Sequence, residues 1–334
     1  MMKPVIKWSG SKRSQASKIK SFFPETFGTY YEPFIGGGSM LYAVNPSKSI
    51  CGDICVPLID LWNEIKEHPE QLASEYEARW SRLQDEGYTA YYEIRDAFNQ
   101  HNNPQDLLFL SRTCVNGLIR FNDKGEFNNS LHYSRPGIKP DSLREIILDW
   151  SSHIQGASFF ADEYYNTTQT AVAGDIVYLD PPYFHTKGRY FGTIDYNRFL
   201  EYLEDLNVRG IKYLLSFDGI RGNEDYTVDL PKELYKRHEF IPSGNSTFKK
   251  VIDKETEKVL ESLYLNYLLF EEKLTVSGAA IFLQDEFFKD LATFCGWDDF
   301  DLPSYFFTGH YRIHDKQYFT IFSKYRRCRL GIFL

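Results

Sequence analysis

The sequence lacks the marks of a secreted, metal-binding or membrane protein. Its five cysteines are an odd number with no CxxC pair, which argues against a disulfide framework or a structural zinc site. No apolar run approaches the ~18 residues of a membrane-spanning helix, and the N-terminus has no apolar stretch of signal-peptide length. His310 and His314 lie in a strand-like segment without a carboxylate motif, so they do not indicate a metal. We therefore expect a cytoplasmic protein with no metal centre and no membrane partner.

An excess of positive charge is also missing. Lysine and arginine number 38 against 46 acidic residues, which gives a formal net charge of -8. Because nucleic-acid-binding domains are usually basic, the whole-chain charge argues against such a partner. The basic residues are nevertheless concentrated at 1–22, which contains no acid, and at 112–139 and 324–329. Such a local basic surface can bind DNA even on an acidic chain.

Aromatic residues are abundant at 17%, which argues against disorder because so many rings need burial or stacking. The length of 334 residues suggests two domains. Strand signals at 29–35 and 49–54 flank a glycine-rich turn and a short helix, as at the start of a doubly wound sheet. Helical periodicity follows at about 56–152, and strand signals then occur at 157–163, 175–183, 211–217 and 260–270, with helices at 197–206 and 231–237.

This order predicts an α/β fold with a mostly parallel, Rossmann-like sheet and an insertion. The sheet is built from residues 1–55 and 156–272, and a mostly helical subdomain is inserted at 56–155. Residues 273–334 form a C-terminal extension, in which we predict a short helix at 286–294 followed by antiparallel strands.

A glycine-rich turn, EPFIGGG at residues 32–38, follows the first predicted strand. Glycines at this place let the backbone approach a ligand closely. Asp53 lies 17 residues after Gly36, at the end of the next strand, where an acid commonly binds ribose hydroxyls. The pair predicts a nucleoside-bearing cofactor without identifying it. A GxxxxGK[ST] phosphate loop is absent, which disfavours a nucleotide triphosphatase.

The motif Asp180-Pro181-Pro182-Tyr183 follows the apolar strand IVYL. Proline has no backbone N–H and a fixed φ, so the carboxylate and the carbonyl oxygens present hydrogen-bond acceptors. Tyr183 adds a flat ring for stacking. The motif therefore suits a planar amine.

Together these motifs resemble the DNA adenine-N6 methyltransferases of the Dam (D12, alpha) class. The resemblance rests on KWSGSK at 7–12, EPFIGGG, GDI at 52–54, NGLIRFNDKGEFN at 116–128 and DPPY, in the family's order. It implies S-adenosylmethionine as the cofactor, a flipped adenine in duplex DNA as the target, and a place on DNA in a bacterial cytoplasm or phage-infected cell. It also implies either a solitary enzyme or the modification partner of a restriction endonuclease that acts on the same site.

The resemblance also assigns roles to individual residues. Asp180 and the Pro181 carbonyl would accept hydrogen bonds from the adenine amine within the turn completed by Pro182, and Tyr183 would stack on the base. The cofactor would be bound by Trp8, Lys12, Glu32, Phe34, Gly36, Gly37, Gly38 and Asp53, by Phe160 and Asp162 at its adenine ring, and by Asp180.

The loop 112–139 is the candidate for DNA recognition, because Arg can read guanine and Asn can read adenine. The candidate contacts are Lys7, Arg112, Asn116, Arg120, Asn122, Lys124, Asn128 and Arg135, with Arg120 the strongest for a base. The GATC-specific enzymes carry an aromatic residue at the position of Val115 and a proline where this chain has Asn129 and Ser130. GATC is therefore not predicted as the site.

The chemistry is consistent with these assignments. Direct displacement at the methyl group needs positioning and electrostatics, and it needs no covalent thiolate of the kind that cytosine-C5 methylation requires. Two alternatives remain open at this point. One is methyl transfer to RNA or to a protein amide, since related xPPY motifs act on other planar nitrogens. The other is a non-catalytic DNA-binding module.

Overall fold

The computed structural model describes residues 2–122, 124–132, 134, 137–182, 194–245 and 258–268. It also gives the strand backbones at 305–313, 316–323 and 327–330. The chain divides into two units, Met1–Tyr267 and Leu268–Leu334.

An eight-stranded mixed sheet forms the centre of the first unit. Its strands are β1 Tyr30–Glu32, β2 Ser49–Asp53, β3 Ala157–Ala161, β4 Ile176–Leu179, β5 Lys212–Arg221, β6 Glu224–Asp225, β7 Arg237–Asn245 and β8 Lys258–Leu265. The strand order is β3-β2-β1-β4-β5-β8-β7, with β6 paired to β5. Strands β1 to β5 run parallel to one another, whereas β8 is antiparallel to both β5 and β7. The predicted Rossmann-like sheet is confirmed.

The strand order places a topological switch point between β1 and β4. From β1 the chain continues outward through β2 and β3, and from β4 it continues through β5 in the opposite direction. Tyr30 of β1 pairs with Ser49 on one side and Ile176 on the other. In open α/β sheets, ligands bind beyond the carboxyl ends of the strands at such a point. The glycine-rich turn follows β1 and the DPPY motif follows β4, so the sheet brings the two motifs to the same edge.

The helices of the first unit that the structure describes are α1 Ala16–Lys20, α2 Ser39–Val44, α3 Val56–Glu67, α4 Pro69–Glu86, α5 Tyr88–His101, α6 Pro104–Thr113, α7 Pro140–His153, α8 Tyr164–Thr167 and α9 Tyr196–Val208. Those between β2 and β3 form the inserted segment. Proline occupies the first turn of α3, α4, α6 and α7, where its missing N–H breaks no helical hydrogen bond. Trp62 of α3 packs on Trp150 of α7, with ring centroids 5.0 Å apart, and on Phe159 of β3 at 5.8 Å. These buried rings join the insertion to the sheet.

The prediction of a helix at 231–237 is wrong. A single 3₁₀ turn, Lys232–Leu234, is followed directly by β7. Strand β7 pairs along its length with β8, from Arg237 opposite Leu265 to Asn245 opposite Lys258. Tyr235 is already extended, and the Lys236 N–H donates to the Leu265 carbonyl of β8 at 2.7 Å, so pairing with β8 ends the helical segment after one turn.

The second unit contains three antiparallel strands in the order β11-β10-β9. They are β9 Tyr305–Ile313, β10 Lys316–Ser323 and β11 Arg327–Leu330, in agreement with the predicted antiparallel element. The helix predicted at 286–294 lies outside the described residues. No helix in the described part of the chain has the length and apolarity needed to cross a membrane.

Candidate active site

A cavity opens at the carboxyl ends of β1, β2 and β4. Most of the predicted cofactor residues line it, together with the first three residues of the DPPY motif: Trp8, Lys12, Glu32, Phe34, Gly36, Gly37, Asp53, Asp180, Pro181 and Pro182. Tyr183 lies outside the described residues. Four segments that are distant in the sequence thus meet in one space.

The glycine-rich turn is packed too closely for side chains. Gly36 has φ +45°, and an added Cβ would lie 2.7 Å from Cδ1 of Trp8. The Trp62 indole N–H donates to the Gly36 carbonyl at 3.1 Å. Trp62 therefore holds the turn from one side, and Trp8 packs so closely on its backbone that only glycine fits at position 36.

Asp53 lies at the end of β2 and is tied to the glycine-rich turn. Its carboxylate accepts the Gly36 N–H at 3.3 Å and the Cys55 N–H at 3.0 Å. Burial raises its pKa to about 6, and these backbone hydrogen bonds oppose the increase. The next residue, Ile54, is 37% exposed and lines the cavity. A hydrogen-bond acceptor beside an apolar wall fits the ribose and base of a nucleoside.

Three residues predicted to bind the cofactor lie elsewhere. Gly38 has φ +65° and caps the N-terminus of α2. Phe160 is 50% exposed and is not part of the cavity lining. Asp162 also lies outside the lining, and its Oδ1 accepts the Glu163 N–H and an Asn166 side-chain N–H, both at 2.8 Å, at the start of α8.

The cavity wall also contains residues to which sequence reasoning assigned no role. Ile54 and Tyr164 are two of them, and the Tyr164 ring stacks on Phe34 with centroids 5.5 Å apart. The only signal for Ile54 is its place after Asp53, and Tyr164 carried no signal in the sequence.

Asp180 is paired with a buried lysine. Lys12 Nζ lies 2.9 Å from Asp180 Oδ1 and 2.9 Å from Glu261 Oε2, and the Lys12 side chain is 4% exposed. Burial raises the Asp180 pKa to about 6; Lys12 opposes the increase and the Glu261 charge adds to it. The carboxyl is therefore mostly ionised at pH 7 and close to its titration range.

Glu32 is a second buried carboxyl in the cavity. The Tyr30 hydroxyl donates to its Oε2 at 2.7 Å. Burial raises the Glu32 pKa to about 8; the Tyr30 hydrogen bond opposes this and the Asp180 charge adds to it. Glu32 is thus mostly protonated at pH 7, so the single Lys12 charge is shared by Asp180 and Glu261.

Several predicted DNA contacts share one surface near the NGL turn. Asn116 has φ +58°, and a Cβ on Gly117 would lie 2.3 Å from Cδ of Lys7, so the Lys7 stem packs on this turn. A hairpin follows, in which the Asn128 N–H donates to the Arg120 carbonyl at 3.0 Å. The side chains of five predicted contacts are exposed here: Lys7, Asn116, Arg120, Lys124 and Asn128.

The other predicted DNA contacts are Arg112, Asn122 and Arg135. Arg112 is buried at 7% exposure on the inner face of α6 and donates to the Pro4 carbonyl, so its position does not fit the predicted DNA contact. Burial lowers its pKa to about 10. The Asn122 Oδ1 accepts the Lys124 and Glu126 N–H groups, both at 2.9 Å, and so shapes the hairpin. Arg135 lies outside the described residues.

The sheet and the cavity at its switch point define an α/β protein with a ligand site of the kind that binds nucleoside-bearing cofactors. The family profile of the D12 class N6 adenine-specific DNA methyltransferases matches residues 8–245. This chain belongs to that family, whose members use S-adenosylmethionine as methyl donor.

Individual relatives agree with this assignment. Type II methyltransferase M1.LlaDCHI of Lactococcus lactis subsp. cremoris is 28% identical over 191 residues, which are 54% of this chain and 66% of that protein. Type II methyltransferase M.MjaIII of Methanocaldococcus jannaschii is 28% identical over 310 residues, which are 80% of this chain and 99% of that protein. The DNA adenine methylase of Serratia marcescens is 30% identical over 184 residues, which are 53% of this chain and 66% of that protein.

Among solved structures, the rRNA methyltransferase aviRa of Streptomyces viridochromogenes is similar with a TM-score of 0.30 and 13% identity. The match covers 79% of this chain and 86% of that one.

Proposed function

We propose that this chain methylates the N6 amine of an adenine at a specific site in duplex DNA. The supporting observation is that Asp180 and Pro181 line the same cavity as the glycine-rich turn and Asp53. One part of this cavity fits a nucleoside-bearing methyl donor, and the other offers the acceptors that a planar amine needs. Family membership supplies the reaction, and the cavity supplies the residues.

The described residues fit S-adenosylmethionine. Asp53 offers a carboxylate to ribose hydroxyls, while Trp8 and Ile54 provide apolar walls. Glycine at 36 and 37 lets Trp8 pack directly on the backbone of the turn, which brings this apolar wall close to Asp53. When bound there, S-adenosylmethionine supplies a methyl group activated by its sulfonium.

Asp180 and the Pro181 carbonyl act on the target base. An adenine amine is a weak nucleophile because its lone pair is delocalised into the ring. Two acceptors on its hydrogens localise that lone pair and orient it, so positioning supplies most of the rate increase. With its pKa raised to about 6, the Asp180 carboxylate is also suited to receive a proton near neutral pH. Stacking by Tyr183 on the extruded base remains a sequence-based part of this proposal.

DNA recognition is assigned to the inserted residues 56–155 and to Lys7. The exposed Arg120, Lys124 and Asn128 lie on one hairpin, where Arg120 would read a base and Lys124 a phosphate. The sheet segments 1–55 and 156–272 would form the catalytic domain, with 273–334 as an extension. We further propose a cognate restriction endonuclease as partner, since two of the relatives are type II methyltransferases.

The experiment is methylation-sensitive sequencing of DNA from a host that expresses the parent protein or Asp180→Ala. We expect N6-methyladenine at one short motif, other than GATC, with the parent protein only. In parallel, labelled methyl transfer to duplex DNA, RNA and protein should be confined to duplex DNA. Transfer to RNA or protein alone, or a parent protein that binds no cofactor by calorimetry, would overturn the proposal.

A further inference from the structure

Glu261 is the one member of the Lys12–Asp180–Glu261 cluster that does not line the cavity among the described residues. It contacts the Lys12 ammonium from β8, while Asp180 contacts it from the end of β4. Glu261 can therefore act on Asp180 in two ways, by fixing the position of the Lys12 ammonium and by its own charge.

The strand that carries Glu261 is held on both sides. Glu261 pairs with Ile241 of β7, and on the other side β8 passes close to β5. A Cβ on Gly219 of β5 would lie 2.3 Å from the Leu260 carbonyl oxygen, so the two backbones are in close contact. The backbone that carries Glu261 is therefore fixed in position.

The segment that carries Lys12 is anchored to the same strands. The Lys12 carbonyl accepts the Gln15 N–H at 2.9 Å, and the Gln15 side chain donates to the Ile241 carbonyl at 3.4 Å. The backbone at Lys12 is thus tied to β7 through Gln15, whereas its Nζ is in contact with the carboxylate on β8. A lysine side chain is flexible, so a second carboxylate is what fixes its charged end.

The position of this ammonium decides how Asp180 is presented. Lys12 contacts Oδ1 of Asp180, and the rotation that brings Oδ1 to Lys12 also sets the direction of Oδ2. We propose that Glu261 is a positioning residue for methyl transfer, which holds the Lys12 ammonium on Oδ1 so that Oδ2 is directed at the target amine. This inference rests on the proposed function.

The test compares Glu261→Gln with Glu239→Gln as the matched control. Glu239 is also a strand glutamate in an ion pair, with Arg237 at 2.9 Å, but it lies on β7 and outside the cavity lining. The assay is the single-turnover rate of methyl transfer to duplex DNA containing the modified motif, at saturating cofactor. We expect Glu261→Gln to lower the rate of methyl transfer at least about tenfold, while its cofactor affinity stays within about threefold of the parent's. The rate of Glu239→Gln should match that of the parent within about twofold.

A double-mutant cycle separates positioning from a general structural effect. If Glu261 acts through Lys12, adding Glu261→Gln to Lys12→Gln lowers the rate by no more than about twofold further. Circular dichroism identifies an assay temperature at which all variants are folded. Glu261→Asp, which keeps the charge, should recover part of the rate and serves in place of Glu261→Gln if that variant does not fold.

The pH profile provides a second readout. The titratable groups that face the Asp180 carboxyl are Lys12 from the N-terminal segment, Glu261 from β8, Glu32 from β1 and Tyr178 from β4. Because the Glu261 charge raises the Asp180 pKa, its loss should move the acid limb of the rate profile to lower pH.

If the parent is active and Glu261→Gln has the parent's rate and pH profile, this inference alone is overturned. The same holds if the rate losses of Glu261→Gln and Lys12→Gln multiply in the double variant. A parent that transfers no methyl group to DNA adenine overturns the proposed function and this inference together.

Discussion

Gly38 provides a quantitative test of how tightly the glycine-rich turn is packed. Its φ of +65° is a left-handed conformation, which costs a residue with a Cβ about 1–2 kcal/mol. An added Cβ would lie 2.8 Å from Cη2 of Trp62 and 3.1 Å from Cζ3 of Trp150, two buried rings. Overpacking of this kind costs about 1–3 kcal/mol. We therefore expect Gly38→Ala to lower the free energy of unfolding by about 2–5 kcal/mol.

Gly210→Ala is the matched control. Gly210 has a similar φ of +69°, and its added Cβ would meet only Ala173 Cβ at 3.6 Å, an ordinary contact. This variant should lose only the conformational contribution of about 1–2 kcal/mol. Urea titrations followed by far-ultraviolet circular dichroism measure both losses against the parent. Equal destabilisation by the two substitutions would refute the packing argument for Gly38.

Three further predictions concern the cavity and the hairpin. Asp53→Ala should weaken cofactor binding about tenfold or more in calorimetry, because charged hydrogen bonds contribute about 1.5–3 kcal/mol; unchanged affinity would remove Asp53 from the site. Folding raises the Glu32 pKa from 4.5 to about 8, so its ionisation destabilises the parent as pH rises through that interval. Over this pH interval, Glu32→Gln should lose less stability than the parent in thermal unfolding. An identical pH dependence of the two proteins would contradict this. Arg120→Ala should reduce discrimination between the modified motif and a scrambled duplex by about 1–3 kcal/mol in anisotropy titrations, whereas Lys124→Ala should weaken both equally.

The motifs at strand ends could be predicted from the sequence because each follows an apolar strand directly. Gly36 and Asp180 lie far apart in the chain, but parallel strands deliver their carboxyl ends to one edge of the sheet. The pairing of β1 with β4 then places both in one cavity. Local pattern and the rules of sheet topology were sufficient for this part.

Positions set by tertiary packing could not be predicted in this way. Arg112 reads as one more basic residue near a recognition loop, yet it belongs to the inner face of α6. Glu261 meets Lys12 only because β8 enters the sheet between β5 and β7. No residue spacing encodes that order, and no strand was predicted from the sequence where β7 lies.

The account depends most directly on the role of Asp180. The decisive measurement is transfer of a labelled methyl group from S-adenosylmethionine to duplex DNA by the parent and by Asp180→Ala, with cofactor affinity and folding measured on the same samples. We expect N6-methyladenine from the parent, and a folded, cofactor-binding Asp180→Ala that is slower by at least about a hundredfold. An Asp180→Ala variant with the parent's rate would contradict the assignment of this cavity as the site of methyl transfer.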